Sequence, residues 1–331
     1  MSTTHGAGDI ELTTEQRKAA AHTRGPMLVL AGPGCGKTAA LVARFAALVR
    51  AGVKAEEILA ITFTRKAARE MSQRIGRITG ASVDACAIGT FHAVALNIMR
   101  AYPQAFGDLS ERRVMGDTEA ERVMHGVARD MDVPLDELTE AVDRWKDRLV
   151  TPKQALEKAR ELDGTRRFEE ERKAKAYGTY QRALKEQDAL DFGDLVMALV
   201  RTMESDRKLL ATLRKRYKHV LVDEYQDINR AQERMIRLIT GPNANLWVVG
   251  DPDQAIYGFR GSDIRYILNF GKIYPDHVQA ELSVNHRSTA RITRTADRFI
   301  SENRNRFGKT LNTGREDGQA LVFHGAADPQ A

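Results

Sequence analysis

Apolar residues form short runs near the start of the chain, and each run is followed by a longer stretch with helical spacing. Between residues 12 and 100, the runs 27–31 and 58–62 have the length of buried strands, whereas 37–50 and 65–78 have the pattern of helices. Strands that alternate with helices are typical of a parallel sheet covered by helices. We therefore predict an α/β fold with a parallel sheet.

The pattern changes between residues 96 and 218, where the chain is charged, amphipathic and poor in strand signals. Pro134 and Pro152 mark boundaries between the periodic segments. We predict a block of helices here. Its clearest predicted helices are 117–130, 136–148, 151–162 and 168–185.

The strand pattern returns after this block, in the apolar runs 219–222 and 246–249, which are each followed by acidic residues. A third strand-like element lies near Glu281, and an arginine-rich helix is predicted over 288–303. Because the later strands resume the earlier pattern, we expect the helical block to be an insertion into one α/β domain.

Composition excludes several classes of protein. The chain has 331 residues, of which 42% are hydrophobic and 29% charged, and no apolar stretch approaches the roughly 20 residues that span a bilayer. We expect a globular cytoplasmic protein with no membrane partner. Its two cysteines argue against a disulfide framework. The net charge of +6 is compatible with a polyanionic partner, although most lysines and arginines are simply solvated.

The segment AGPGCGKT, at 31–38, joins the first predicted strand to the first long helix. Gly34 and Gly36 allow backbone angles that turn N–H groups toward a phosphate chain, Lys37 adds positive charge, and the Thr38 hydroxyl is a magnesium ligand. Ala31 replaces the first glycine of the strict pattern. A turn that binds nothing is the alternative, but the strand and helix around it favour a site for a nucleoside triphosphate and Mg²⁺.

Acidic residues follow the run 219–222 directly. We assign Asp223 to the magnesium ion and Glu224 as the general base that deprotonates the attacking water. Gln254 follows the next strand and is placed to bond the γ-phosphate or that water. Gln16, in LTTEQR, could read an adenine edge, although a surface helix start would look the same.

These pieces together resemble the UvrD/Rep family of superfamily 1 DNA helicases. The resemblance covers nearly the whole chain. It rests on LTTEQRKAAAH, AGPGCGKT, ITFTRKAAREM, IGTFHAVALNIMR, VLVDEYQDIN, VVGDPDQAIYGFRGSD and LSVNHRST, which occur in the family's order.

The resemblance implies a RecA-like P-loop NTPase domain with a parallel sheet, an inserted all-helical subdomain and the start of a second RecA-like lobe. Its first, ATP-binding lobe would comprise 1–95 and 218–284. The helical accessory subdomain would be 96–217, and the truncated second lobe 285–331.

The resemblance also implies roles for individual residues in ATP binding and hydrolysis, with Gln16 reading adenine and Arg287 acting as an arginine finger. The implied catalytic residues are Lys37, Asp223, Glu224, Gln254 and Arg287. The implied magnesium ligands are Thr38 and Asp223. The implied nucleotide-binding residues are Gln16, Gly32, Gly34, Cys35, Gly36, Lys37, Thr38, Ala39, His286 and Arg287.

A motor on single-stranded DNA needs flat surfaces for unstacked bases. Any one aromatic is more often a core residue, but threonine and arginine neighbours favour an exposed platform here. Phe63 and Phe259 are the best stacking candidates. The residues that the resemblance places along the DNA are Thr62, Phe63, Thr64, Thr90, Phe91, His92, Tyr257, Phe259 and Arg260.

Three positions depart from the family pattern. Phe259 stands where tryptophan is usual, His286 where tyrosine is usual, and Ala39 where arginine is common. We therefore expect weaker nucleotide affinity than in a typical member. Cys35 raises a separate hypothesis, a lowered thiol pKa beside Lys37, against the alternative of a small residue that merely fits.

The expected function is that of an ATP-dependent DNA helicase or translocase, moving 3′ to 5′ on single-stranded DNA or at a junction with duplex, in repair or replication. One alternative is an ATP- and DNA-binding module that needs a partner protein to supply the rest of the second lobe. Another is a helicase–nuclease subunit, although no cluster of nuclease carboxylates is identifiable.

Overall fold

The main sheet of the computed structural model has six parallel strands: β1 (Met27–Ala31), β2 (Ile58–Thr62), β3 (Ala87–Thr90), β6 (His219–Val222), β7 (Leu246–Gly250) and β8 (Val278–Leu282). Their order across the sheet is β3-β2-β6-β7-β1-β8. The structure describes residues 11–80, 86–242, 245–258, 261–303 and 307–322. Strand β1 lies next to the edge strand β8 and pairs with β7 (Leu28 opposite Val248) and with β8 (Leu28 opposite Gln279).

Alternate side chains of the inner strands β2, β6, β7 and β1 enter two different cores, because successive residues of a strand point to opposite faces. Leu28 and Leu30 belong to one core, and Met27 and Val29 to the other. Both faces are therefore covered by helices, as the long apolar runs of the strands predict. The helices that carry the second core are α1 (Thr14–Ala20), α2 (Lys37–Arg50) and α3 (Arg65–Thr79).

The other face of the sheet is covered by helices from three parts of the chain. They are α4 (Phe91–Ala101), α5 (Pro103–Phe106), α10 (Phe192–Ser205), α11 (Arg207–Arg216), α12 (Arg230–Thr240), α13 (Arg265–Leu268) and α14 (Phe270–Ile273). Helix α15 (Ala290–Ile300) follows the last strand of the sheet.

The helices that lie between α5 and α10 in the chain have a core of their own, in which the rings of Trp145 and Tyr177 stack 5.6 Å apart. The predicted block is helical except for a short parallel pair, β4 (Arg113–Val114) with β5 (Ala189–Leu190). Helices α10 and α11, although inside the predicted subdomain 96–217, pack on the core of the sheet. The helices with the separate core are α6 (Asp117–Asp130), α7 (Leu135–Asp147), α8 (Pro152–Arg160) and α9 (Gly164–Glu186).

No helix in the described ranges is both long enough and apolar enough to cross a membrane.

Candidate nucleotide and DNA site

The predicted phosphate loop lies between β1 and α2. Gly34 and Gly36 have φ values of 71° and 78°, in the left-handed region that side chains disfavour. Space also requires glycine there, since a Cβ at Gly34 would lie 2.7 Å from the Cβ of Arg287, and one at Gly36 would collide with the Gln16 amide. No side chain caps the amino end of α2. The backbone N–H groups of its first turn are therefore suited to bind an anion such as phosphate.

Lys37 brings together the ends of three neighbouring strands. Its Nζ lies 2.8 Å from Glu224 Oε2, which follows β6, and 3.2 Å from Gln254 Oε1, which follows β7. Because β6, β7 and β1 are adjacent and parallel, their carboxyl ends share one edge of the sheet. The structure therefore places three of the predicted catalytic side chains in contact.

Thr38 and Asp223 form the predicted magnesium pair. The Thr38 hydroxyl donates to Asp223 Oδ2 over 3.3 Å. Burial and the neighbouring Glu224 charge raise the pKa of Asp223 to about 6. A cation bound beside Asp223 would favour its ionised form. A hydroxyl and a carboxylate oxygen are hard ligands of the kind that Mg²⁺ takes in nucleotide sites, where water and phosphate complete its shell. These residues fit the ion.

Glu224 adopts an unusual backbone conformation, with φ 50° and ψ 47°. Such angles are costly for a residue with a side chain, and they concentrate at functional sites. Gln226 supports the strained residue, because its Nε2 donates to Glu224 Oε2 over 2.9 Å while its Oε1 accepts from the Asp251 N–H. Sequence reasoning missed this glutamine. The available signal was its place two residues after the proposed base.

Gln16 has both ends of its amide engaged in the structure. Its Oε1 accepts from the Thr13 N–H over 3.0 Å and completes the cap of α1, and its Nε2 donates to the Cys35 carbonyl over 3.0 Å. The predicted helix cap is therefore present, although Gln16 is buried and does not lie on the surface. The adenine-reading role stays a prediction, with the amide already lying against the phosphate loop.

The hypothesis of an acidic Cys35 thiol is wrong. Its side chain is 1% exposed, and burial raises the pKa of the thiol to about 11, although nearby Lys309 and Lys37 act in the opposite sense. This environment agrees with the alternative interpretation, in which Cys35 is a small residue that fits the available space. Ala39, which the resemblance places beside the nucleotide, is half-buried on the first turn of α2.

A buried asparagine attaches the segment after β8 to the phosphate loop. Asn285 Nδ2 donates to the Pro33 carbonyl over 2.7 Å, and its Oδ1 accepts from the N–H groups of Arg287 and Ser288. The His286 N–H donates to the Gly34 carbonyl. Sequence reasoning missed Asn285, whose signal was the turn-forming asparagine in NHRST. The exposed side chains of His286 and Arg287 lie beside the loop, and their roles stay predictions.

Two of the predicted DNA-contacting aromatics stack on each other. The rings of Phe63 and Tyr257 lie 5.3 Å apart at 26°, and both are half-buried. Thr64 caps α3, and Thr90 caps α4. His92 is half-buried, and burial lowers its pKa.

Phe91 does not provide an exposed platform. It is 2% exposed and belongs to the core beneath the sheet, because it shares one face of α4 with Val94, Ala95 and Ile98. Thr62 is 1% exposed and is the last residue of β2. Two further DNA-binding predictions, Phe259 and Arg260, lie outside the described residues.

A cleft of about 480 Å³ joins the two groups of side chains. Its lining includes the phosphate-site residues Thr38, Asp223, Glu224 and Gln254. The lining also includes Thr62, Phe63, Thr64 and Tyr257 from the predicted DNA-binding group. The phosphate-site residues and the aromatic pair therefore face one cavity.

Comparison with known proteins agrees with this geometry. The sequence model of the UvrD/REP helicase N-terminal domain matches residues 12–275, which include the phosphate loop and both acidic strand ends. The chain belongs to the UvrD/REP helicase family.

Similar proteins include the ATP-dependent DNA helicase PcrA of Staphylococcus aureus (strain Mu50 / ATCC 700699), 34% identical over 321 residues. That alignment covers 95% of this chain and 43% of the relative. The ATP-dependent DNA helicase UvrD1 of Mycobacterium tuberculosis (strain CDC 1551 / Oshkosh) is 37% identical over 326 residues, which is 94% of this chain and 42% of the relative. The chain thus spans less than half the length of these relatives.

Proposed function

We propose that this chain forms the ATP-binding part of a translocase that moves 3′ to 5′ on single-stranded DNA and is driven by hydrolysis of ATP with Mg²⁺. The observation that carries the proposal is the shared cleft, in which the residues around Lys37 and the Phe63–Tyr257 pair face the same space. In a motor, binding of ATP has to change the affinity for DNA, and binding of DNA has to change the affinity for ATP. The names of the similar proteins, ATP-dependent DNA helicases, support the same activity.

The contacts of Lys37 suggest how the site responds to nucleotide. In the structure its ammonium group is shared between Glu224 and Gln254. When nucleotide binds, the Lys37 ammonium group would exchange these contacts for contacts with phosphate oxygens. The Glu224 carboxylate would then be free to orient and deprotonate water. Thr38 and Asp223 would hold the magnesium ion, which supplies charge neutralisation at the phosphates. Arg287 would add positive charge when its segment closes on the site.

Gln254 connects this site to the DNA surface along the chain. It ends the short helical turn Pro252–Gln254, and Tyr257 follows three residues later with its ring on Phe63. A shift of Gln254 would therefore displace the aromatic pair. This proximity supports the proposal that the bound nucleotide determines how tightly the aromatic pair binds DNA bases.

ATP hydrolysis measured with and without single-stranded DNA tests the proposal, with Lys37→Ala as the control. DNA-stimulated turnover that the substitution abolishes supports a self-sufficient motor. If the unmodified chain binds both ligands without turnover, the module that needs a partner protein is supported instead. Turnover that survives in Lys37→Ala contradicts the assigned site.

A further inference from the structure

Lys309 is a buried lysine next to the phosphate site that no step above uses. Its side chain is 3% exposed, and its Nζ contacts Asp251 and lies 3.1 Å from Asp253 Oδ2. A lysine loses both water and rotamer freedom on burial, so it is almost never fully buried without a partner. The two aspartates after β7 provide that partner.

Asp251 in turn holds Gln254. Gln254 Nε2 donates to Asp251 Oδ2 over 2.5 Å, and the opposite oxygen, Oδ1, contacts Lys309 and accepts from the Asp253 N–H over 3.1 Å. Asp251 is 0% exposed. A carboxylate so buried requires a positive charge to remain ionised and to keep its acceptor geometry. Lys309 supplies that charge.

The contacts form one continuous path from the phosphate loop to the segment beyond α15. Lys37 donates to Gln254, Gln254 to Asp251, and Lys309 contacts the far side of Asp251. Two residues on, Leu311 packs so closely on the loop that a Cβ at Gly32 would overlap it. The segment 307–312 is therefore attached to the loop through Leu311 and, through Lys309 and Asp251, to Gln254, the side chain expected to sense the γ-phosphate.

We propose that Lys309 is a positioning residue that holds Gln254 at the phosphate site through Asp251, so that preference for ATP over ADP depends on docking of the segment 307–312. This inference rests on the proposed function. Lys309 acts through Asp251 and is not assigned contact with the nucleotide. Removing the Lys309 charge should therefore weaken the binding of nucleotides that carry a γ-phosphate and leave the binding of ADP unchanged.

Equilibrium titration of the full chain with ADP and with a non-hydrolysable ATP analogue, both with Mg²⁺, tests the proposal. In Lys309→Met we expect about a tenfold loss of affinity for the analogue and unchanged affinity for ADP, the size expected for one hydrogen bond to a charged group. Lys309→Arg keeps the charge and should retain most of the preference. Gln254→Ala should show the same loss, and adding Lys309→Met to it should cause no more.

Lys146 offers a matched control, because it is also buried between two aspartates, with its Nζ 2.6 Å from Asp191 and 2.8 Å from Asp194. Lys146→Met should lower the melting temperature and leave the ratio of the two affinities unchanged. Loss of the preference in Lys146→Met as well would show a general effect of destabilisation and would overturn the inference.

Two results in Lys309→Met would also overturn it: an unchanged preference in a folded protein, or equal losses for both nucleotides, which would mean direct contact. If Lys309→Met does not fold, Asp251→Asn with Lys309→Met removes the charge pair of Lys309 with fully buried Asp251 and should restore the fold while the preference stays lost. Retained preference in that double variant contradicts the inference. A wild-type chain that binds neither nucleotide contradicts the proposed function itself, whereas a discriminating wild type with an unaffected variant contradicts only the role of Lys309.

Discussion

The stacked pair Phe63 and Tyr257 gives the sharpest prediction about DNA. Its rings are 5.3 Å apart and half-buried, so each ring packs on the other and keeps part of its surface open to the cleft. Stacking of a base on an aromatic side chain contributes about 1–3 kcal/mol, which is roughly a 5- to 150-fold change in affinity. Phe63→Ala and Tyr257→Ala should each weaken binding of single-stranded DNA by that amount.

The two substitutions should not be additive. An aromatic pair contributes about 0.5–1.5 kcal/mol beyond its buried area, and either single substitution already removes that contact. The loss in the double variant should therefore fall short of the sum of the single losses by about that much. Additive losses would mean that the rings contact DNA independently of each other.

Fluorescence anisotropy of a labelled single-stranded oligonucleotide at one fixed salt concentration measures these changes, because phosphate contacts make affinity depend on salt. Phe168→Ala is the matched control, since that residue of α9 is 75% exposed and is not among the residues that line the cleft. The assignment is wrong if both single variants fold normally and bind DNA within about twofold of the unmodified chain. It is also wrong if Phe168→Ala loses as much affinity.

Three further predictions concern buried groups. Phe91→Ala should destabilise the fold by about 3–5 kcal/mol in chemical denaturation, because it empties a core position; a loss of DNA affinity at unchanged stability would contradict this placement. Cys35 should be alkylated more slowly than half-exposed Cys86 at neutral pH, as peptide mass spectrometry can measure, and the reverse order would refute its burial. Burial and Asp143 raise the pKa of Asp147 to about 7, so its ionisation destabilises the folded state as pH rises from about 4 to 7; Asp147→Asn should add about 2–4 kcal/mol of stability at pH 8 and little at pH 4, and an equal effect at both would contradict it.

Local patterns were enough to predict the elements that carry the nucleotide site. The helix predicted over 37–50 and the strand over 58–62 have those bounds in the structure. Their apolar spacing and the glycines before α2 depend only on neighbouring residues. The same locality explains why Lys37, Glu224 and Gln254 could be assigned, since each directly follows or closely follows a strand of one parallel sheet.

The failures arose where the answer depends on residues distant in sequence. Phe91 begins a helix, and nothing local shows that its side chain points toward the core. The contact of Lys309 with Asp251 joins positions 58 residues apart, and its lysine resembles any solvated one in the sequence. Asn285 likewise bonds a carbonyl 252 residues away. Only the fold brings these groups together.

The central claim is that nucleotide and DNA sense each other across the shared cleft. The most direct measurement is the affinity of the chain for single-stranded DNA with no nucleotide and with a saturating non-hydrolysable ATP analogue and Mg²⁺. The account predicts a change of about 5- to 150-fold, which Gln254→Ala should reduce, with the same factor in the affinity for the analogue when DNA is present. Equal DNA affinity in both conditions, while each ligand binds by itself, would contradict it.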